Sequence, residues 1–588
     1  MKIDNNILRL TPFSLKNERI IFFVIFFAGI LFFIQGLNVH GIEYRDDEIF
    51  YVRSTQEMLH SGNIFSPVYF GENRFQKPIL FYWLILLSYK LFGEGWFAAR
   101  FVAVIFSSLT LAVSWLLAKD LFDRKTATIS VLILATLPLF FRHAKNAVPD
   151  MALNFFIVFA IFCMIRFFAN PSKEIYSRLF FVSCALGFMV KGFAALVVPF
   201  LTTIFYALSI RRPNLLKRMN FVQGVGTFLL IVLPWFIYMF FIHGEQYANY
   251  VLKAETLNRV VSVSGENIFI KIIKTFKTNS LFYLKTMLSY FAPWSVFGLF
   301  ALPVAFLAWR KKEEKAQSFL AMLIWFAVVF LFFSLIFAKI NHLILVLTTP
   351  FAILLSYFFL KPFNEPTLSS KIIFSFRRYF GLYIIAAGFA GISFVQIFFL
   401  NGSKLWLIFF LLVFICIAYC VHRGENFILP MAMGVLFLSV FSQSNLLSKA
   451  RLTTHSSWQV FADLINGESK RPFVIGVGSH DIHEKEFQIY FDQKVEKLAT
   501  SSDEESKGAL VEFFKSPQIA YCLITESDYK KFSDPFWQKR VDIIKEDMVF
   551  RKRLNLGKDF FVSVLKLDRD KINNYLKEKI ILLKKPHA

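Results

Sequence analysis

The sequence predicts an α-helical polytopic membrane protein with about 13 transmembrane helices and a C-terminal soluble α/β domain. Three observations predict it. Of the 588 residues, 56% are hydrophobic and 77 are Phe, which is too apolar for a soluble chain of this length. Apolar runs long enough to cross a bilayer recur between residues 20 and 445. Beyond residue 446 the composition changes to short β-rich runs separated by charged stretches.

The elements follow in order. The N-terminus, MKIDNNILRLTPFSLKNER, is basic, and no small-residue cleavage site follows the apolar run after it. Residues 20–37 therefore read as an uncleaved first span. Further spans are expected near 96–118, 126–141, 151–169, 176–190, 193–210, 221–242, 290–309, 318–337, 341–360, 379–399, 404–421 and 427–445. With the N-terminus in the cytoplasm, the cytoplasmic segments carry about 22 Lys/Arg and the short outer turns about five. That asymmetry fixes the expected orientation and accounts for the net charge of +24 without invoking nucleic acid. An odd number of spans places the tail outside, in the periplasm of a bacterial inner-membrane protein. The expected division is a membrane domain over 1–445 and a periplasmic α/β domain over 446–588.

Two long outer loops, about 39–95 and 243–289, belong to the membrane domain. In the first, the stretch after Asp47 has apolar residues at Ile49, Val52 and Leu59 and a stop at Gly62, so it predicts a short amphipathic helix capped by Asp46 or Asp47. KPILFYWLILLSYKLF (77–92) is apolar but interrupted by Lys90 and rich in Tyr and Trp, which suits a helix lying in the interface. In the tail, 471–479, 487–492, 519–525 and 560–567 read as β-rich runs, and SDEESKGALVEFF reads as helix. Four of the five cysteines lie in apolar runs and Cys522 stands apart, so no disulfide framework is implied.

Charges on the outer side run against the usual bias and carry the chemical argument. EYRDDEIFYV (43–52) gathers Glu43, Asp46, Asp47 and Glu48 next to Arg45 and Arg53. Arg74, Lys77, Arg142, Lys145, Lys191, Lys253, Arg259 and Lys339 fall on the same side, several at span ends. Cations there suit a phosphate held at the membrane surface. Snorkelling to lipid headgroups is the alternative for any one of them. One carboxylate is explained as a helix cap, and Asp150 as the cap of the span that follows it. Three consecutive acids exceed what a cap needs. A shared aqueous pocket gives them other work: taking a proton, holding a metal or orienting a sugar. Glu48, Glu255 and His342 are conceivable metal ligands, but no local spacing marks a metal motif, so a divalent metal stays open.

These residues also carry a resemblance. Asp47-Glu48, Tyr51, Glu57-Met58-Leu59, Ser61-Gly62, Pro67, Lys77-Pro78, Tyr82-Trp83, Phe92-Gly93-Glu94, Phe97 and Ala99-Arg100 match in one register. They resemble the first periplasmic loop of the lipid-A aminoarabinose transferase family, integral-membrane GT-C glycosyltransferases that use polyprenyl-phosphate sugars and include the protein O-mannosyltransferases. Arg142–Asp150, Lys191-Gly192, Pro234-Trp235, Glu255 with Arg259, Pro293-Trp294 and AKINHLILVLTTP (338–350) resemble later motifs in the same order. The chain departs at Phe50, where the family carries Arg, and at Ile340-Asn341 and Leu343.

The resemblance implies transfer of aminoarabinose or a related sugar from an undecaprenyl-phosphate carrier to a periplasmic acceptor, either lipid A or protein, at the surface of membrane lipid. It implies Asp47 nearest the reacting centre, with Glu48 and Asp150 in support. Lys77, Arg53, Lys191, Arg259 and Lys339 are then the cations for the donor phosphate, and Glu255, His342, Tyr82 and Trp83 are further site candidates. A non-enzymatic flippase would instead place ionisable groups at mid-membrane depth in an internally repeated bundle, and the sequence shows neither.

Overall fold

The computed structural model describes residues 15–37, 47–250, 268–336, 339–360, 385–390, 405–423 and 458–467, then most of 473–532, 541–550 and 577–585, with a few isolated residues besides. The chain is a mostly helical, multi-span membrane protein with a C-terminal mixed β-sheet domain. Its contacts separate two units: Met1–Leu37, Tyr51–Phe389 and Leu411–Val440 in one, Asn38–Phe50, Ala390–Phe410 and Phe441–Ala588 in the other.

In the first unit, five described helices are long and apolar enough to cross a membrane, or six if one bent pair counts as a single span. They are Trp96–Leu121, Asp150–Ala169, Phe221–Asn249, Ala316–Leu335 and Asn341–Leu360, with the pair Ile273–Tyr290 and Ser295–Arg310 bent by 118°. The expected 13 spans outnumber the helices of this length and apolarity among the described residues. Those near 379–399 and 427–445 fall mainly outside them.

Several expected elements differ in detail. Residues 126–141 form two helices, Arg124–Thr136 and Pro138–His143, not one span. Leu137 precedes a proline and is driven to an extended conformation (φ −64°, ψ 122°), which ends the first helix. The segment 341–360 starts as a 3-10 helix, Asn341–Leu347, and continues as the α-helix Thr348–Leu360. The outer stretch 77–92 yields the helix Leu80–Phe92. At 1.5 Å per residue that is about 20 Å, short of the ~30 Å hydrocarbon core.

Packing between helices relies on small residues and buried charge. A Cβ at Gly29, in the helix Leu15–Phe33, would come 2.8 Å from Ser108 Oγ of the helix Trp96–Leu121. A Cβ at Gly187 would come 2.8 Å from that of Ala195. At the end remote from Asp150, Lys119 Nζ meets Glu18 Oε1 at 2.5 Å and Asp120 Oδ1 at 3.1 Å, and Arg166 Nε meets Asp120 Oδ2 at 2.5 Å. All four side chains are buried. Two positive and two negative charges cancel there, which tolerates burial that a lone ion would not.

In the second unit, the sheet runs β4-β3-β5-β7-β6, with β3 Phe473–Val477, β4 Val495–Lys497, β5 Ile519–Thr525, β6 Asp542–Phe550 and β7 Lys577–Lys584. (β1 Val68–Tyr69 and β2 Glu72–Asn73 form a small hairpin in the first unit.) β3 pairs in parallel with β4 and β5, and β7 pairs antiparallel with β5 and β6. Alternating residues face two cores. Ile475, Val477, Tyr521, Leu523, Ile580 and Leu582 pack with the helix 458–467. Ala520, Cys522, Ile524, Ile581 and Leu583 pack with Leu510, Phe513 and Phe514 of the helix Asp503–Lys515. Covering on both faces explains the unbroken apolar run Ile580–Leu583 in β7.

The helix Asp503–Lys515 and the strands at 473–477 and 519–525 match the sequence expectation. FQIYFD does not: Glu484–Gln488 is helical. Phe487 and Phe491, four apart, both enter the core, a spacing that puts two residues on one face in a strand and in a helix alike. The run at 560–567 lies outside the described residues.

Candidate active site

The first outer loop builds one wall of a cavity. The helix Asp47–Ser61 buries Glu48, Tyr51, Val52, Thr55 and Met58 along one face. It ends at Gly62, whose φ of +72° is a left-handed conformation that favours glycine. Arg53 pairs with Glu57 at 3.2 Å, and its guanidinium lies 5.0 Å from the Phe70 ring centre. Glu57 also accepts the Phe70 N–H at 2.9 Å. Tyr82 is fully buried and accepts from Arg74 Nε at 2.9 Å. Burial pushes its phenol above the ordinary tyrosine value, and Arg74 pulls the other way. Trp83 Nε1 donates to the Ile64 carbonyl at 2.7 Å.

The loop is fastened to the helix Phe221–Asn249. Trp235 Nε1 donates to the Phe65 carbonyl at 2.9 Å, and Ser66 Oγ lies 2.5 Å from His243 Nε2. That helix breaks at Gly244 (φ 49°, ψ −125°), again in the glycine region. Beyond the break, the Tyr247 ring lies 6.2 Å from that of Trp235 and 5.3 Å from Phe75.

Between these parts is a cavity of about 470 Å³. Phe75, Phe188, Trp235, Tyr247, Phe333 and Leu343 give it mostly apolar walls, and Lys77 and Lys191 are its cations among the described residues. Lys191 ends the helix Ile175–Lys191, and Lys77 precedes Leu80–Phe92 by three residues. Two lysines 114 positions apart, both expected from the sequence at the donor phosphate, therefore line one hollow.

Lys191 is held by Asp150, with Nζ 2.7 Å from Oδ1. Asp150 is the first residue of the helix Asp150–Ala169 and is only 5% exposed. His342 Nε2 lies 3.2 Å from the same oxygen. The His143 ring stacks on that of His342, with centres 6.0 Å apart and planes tilted 30°. His143 Nδ1 is 2.8 Å from the Leu139 carbonyl, which can only accept, so that nitrogen carries the proton. The ion pair leaves two of the three Lys191 N–H donors for a ligand.

The other predicted residues are placed as follows. Asp47 and Glu48 open their helix, Asp47 exposed and Glu48 buried, and both fall in the second contact unit. Lys339 is exposed, two residues before the 3-10 helix. Arg53, Tyr82 and Trp83 are engaged within the outer loop and are not among the residues lining the cavity. Glu255 and Arg259 lie outside the described residues, so the conceivable metal trio with Glu48 and His342 cannot be assembled from them. Among the described residues, no three His, Cys, Asp or Glu side chains cluster as metal ligands would. Sequence reasoning missed the aromatic walls and the His143 stack. Phe188 and Phe333 look like lipid-facing residues in a chain with 77 Phe, Phe75 is one more aromatic of the outer loop, and no local signal separates them from the rest.

The chain is similar to several known proteins. Residues 76–238 match the dolichyl-phosphate-mannose-protein mannosyltransferase family. An uncharacterized protein of Aquifex aeolicus is 29% identical over 321 residues, covering 54% of this chain and 60% of that protein. Undecaprenyl phosphate-alpha-4-amino-4-deoxy-L-arabinose arabinosyl transferase 1 of Pseudomonas fluorescens is 28% identical over 365 residues, covering 60% and 61%. The matched region thus spans about three fifths of these curated relatives. The crystal structure of ArnT from Cupriavidus metallidurans bound to undecaprenyl phosphate superposes with a TM-score of 0.67 at 17% identity, over 97% of this chain and 98% of that one, so the two share a fold. The family match falls on the segment that supplies Lys77, Asp150 and Lys191, and over that region the chain is similar to polyprenyl-phosphate-sugar glycosyltransferases.

Proposed function

We propose that the protein moves a sugar from an undecaprenyl-phosphate carrier to an acceptor at the outer face of the bacterial inner membrane. Aminoarabinose or a related sugar is the proposed cargo, and lipid A the proposed acceptor. The observation that carries this reading is the cavity: apolar aromatic walls that suit an isoprenoid, with Lys77 and Lys191 for its phosphate.

In the proposed reaction an acceptor oxygen attacks the anomeric carbon. The bond from that carbon to the carrier phosphate oxygen breaks, and its electron pair leaves with the phosphate. Fixed cations stabilise the growing charge best where water is scarce. Lys77 and Lys191 take that part, joined by Arg53, Arg259 and Lys339. Asp150 orients Lys191 through their ion pair. Asp47 acts nearest the reacting centre, with Glu48 supporting it. With a hydroxyl acceptor, Asp47 takes the proton; with an ionised phosphate acceptor it instead stabilises positive charge on the sugar.

Transfer to protein is the second reading, favoured by one observation: the matched family is named for a protein mannosyltransferase reaction. Mass spectrometry of lipid A from cells with and without the chain separates the two. A sugar mass added to lipid A supports the first reading; unchanged lipid A with glycosylated periplasmic protein supports the second. In the same membranes, Asp47→Asn is expected to abolish transfer while expression persists, and an undiminished rate removes Asp47 from the chemistry.

A further inference from the structure

A second cavity lies at the other end of the helix Ile175–Lys191. Its volume is about 340 Å³, and Ser177, Arg178, Phe181, Asn220, Gln223 and Gly224 help to line it. Seventeen residues of helix place it about 24 Å from Lys191 along the axis, so it is separate from the candidate active site.

The pocket is built by specific features. Ser177 Oγ donates to the Met219 carbonyl at 2.6 Å and ties two connecting segments together. Asn220 adopts φ 51° and turns the chain into the helix Phe221–Asn249. Gly224 faces the Phe181 ring so closely that a Cβ there would come within 2.3 Å. The absence of that side chain brings the two helices together beneath the pocket.

The surroundings are strongly basic. Lys173, Arg178, Arg211, Arg212, Lys217 and Arg218 lie on these segments, against the single acid Glu174. Glu174 lines the pocket and meets Arg178 at 3.4 Å, but both side chains are more than half exposed. An exposed pair of this kind is weak, and a phosphate oxygen competes well for an arginine fork. From the rim, the helix Phe221–Asn249 leads away with Val222, Val225, Leu229, Leu230 and Leu233 exposed. That apolar strip starts beside a cationic, half-polar pocket, the arrangement a headgroup and its acyl chains would occupy together.

We propose that this pocket binds the headgroup of an anionic phospholipid, with the acyl chains lying along the exposed face of Phe221–Asn249. The full chain, purified in neutral detergent, is incubated with equimolar phosphatidylglycerol and phosphatidylcholine, and retained lipid is counted by native mass spectrometry. Phosphatidylglycerol is expected to be retained in preference. Arg178→Gln is expected to reduce that preference about tenfold. Gln223→Leu, which changes no charge, is expected to reduce it as well. Lys311→Gln, the same charge change in an exposed basic turn outside the pocket, is expected to leave it intact. Equal retention of the two lipids by the native chain overturns the proposal. So does an equal loss with Lys311→Gln, which would mean a diffuse basic field, or full retention by both pocket variants. Displacement of the lipid by millimolar inorganic phosphate would assign the site to a free anion instead.

Discussion

Asp150 and Lys191 give the sharpest test of the candidate site. Their charged atoms are 2.7 Å apart, with side chains 5% and 14% exposed. At an effective dielectric near 20 the Coulomb attraction at this distance is about 6 kcal/mol. Desolvation takes back much of it, and removing one partner of such a buried pair costs about 3–5 kcal/mol. Asp150→Asn keeps the volume and strands the ammonium; Lys191→Met keeps most of the volume and leaves the carboxylate with His342. Each single variant is expected to lose about 3 kcal/mol, and the double variant clearly less than their sum, with a coupling of at least ~2 kcal/mol. The assay is denaturant or thermal unfolding of the full chain in detergent, run on all four proteins of the cycle. Additivity within about 0.5 kcal/mol would refute the claim that Asp150 positions Lys191. Sugar transfer by the same proteins gives a second readout. Relief of instability in the double variant without recovery of transfer is expected, because the cation for the phosphate is still missing.

Three further outcomes are expected. Lys77→Ala should lower transfer about 10²–10³-fold, as loss of a donor to developing charge does elsewhere, and Lys77→Arg should recover part of it; radiolabelled donor in membrane vesicles measures both. Tyr82→Phe removes the acceptor of the buried Arg74 bond and should cost about 1.5–3 kcal/mol, read as a lower unfolding midpoint with the wild-type donor KM. Cys522 is fully buried and its thiol is pushed up by burial, so maleimide at pH 8 should label it only after denaturant unfolds the domain, read by peptide mass mapping that separates it from the exposed Cys416; rapid labelling of Cys522 in the native chain would contradict the packing of β5.

Much of the architecture was readable because it rests on local rules. Composition alone excluded a soluble chain, and Gly62 marked the end of the outer-loop helix where the structure ends it. The runs 473–477 and 519–525 are β-branched and apolar enough to be read as strands. Other errors had physical causes. Pro138 split an apolar run that hydropathy cannot divide. Phe487 and Phe491 are compatible with strand or helix until a core selects the spacing. β6 and β7 were overlooked because Lys545-Glu546-Asp547 interrupts the apolar run of β6, and Lys and Glu flank the short apolar centre of β7.

By itself the sequence determined the class of molecule, the charged residues available for phosphate chemistry and the register of the outer-loop motifs, since periodicity, charge and turn residues act over a few positions. Only the tertiary structure decided that Lys77 and Lys191 line one hollow, that Asp150 holds one of them, and that four charges far from that hollow neutralise one another. Those pairings join residues tens to more than a hundred positions apart, and which side chains meet across that distance depends on how helices cross, information that no local window of sequence contains.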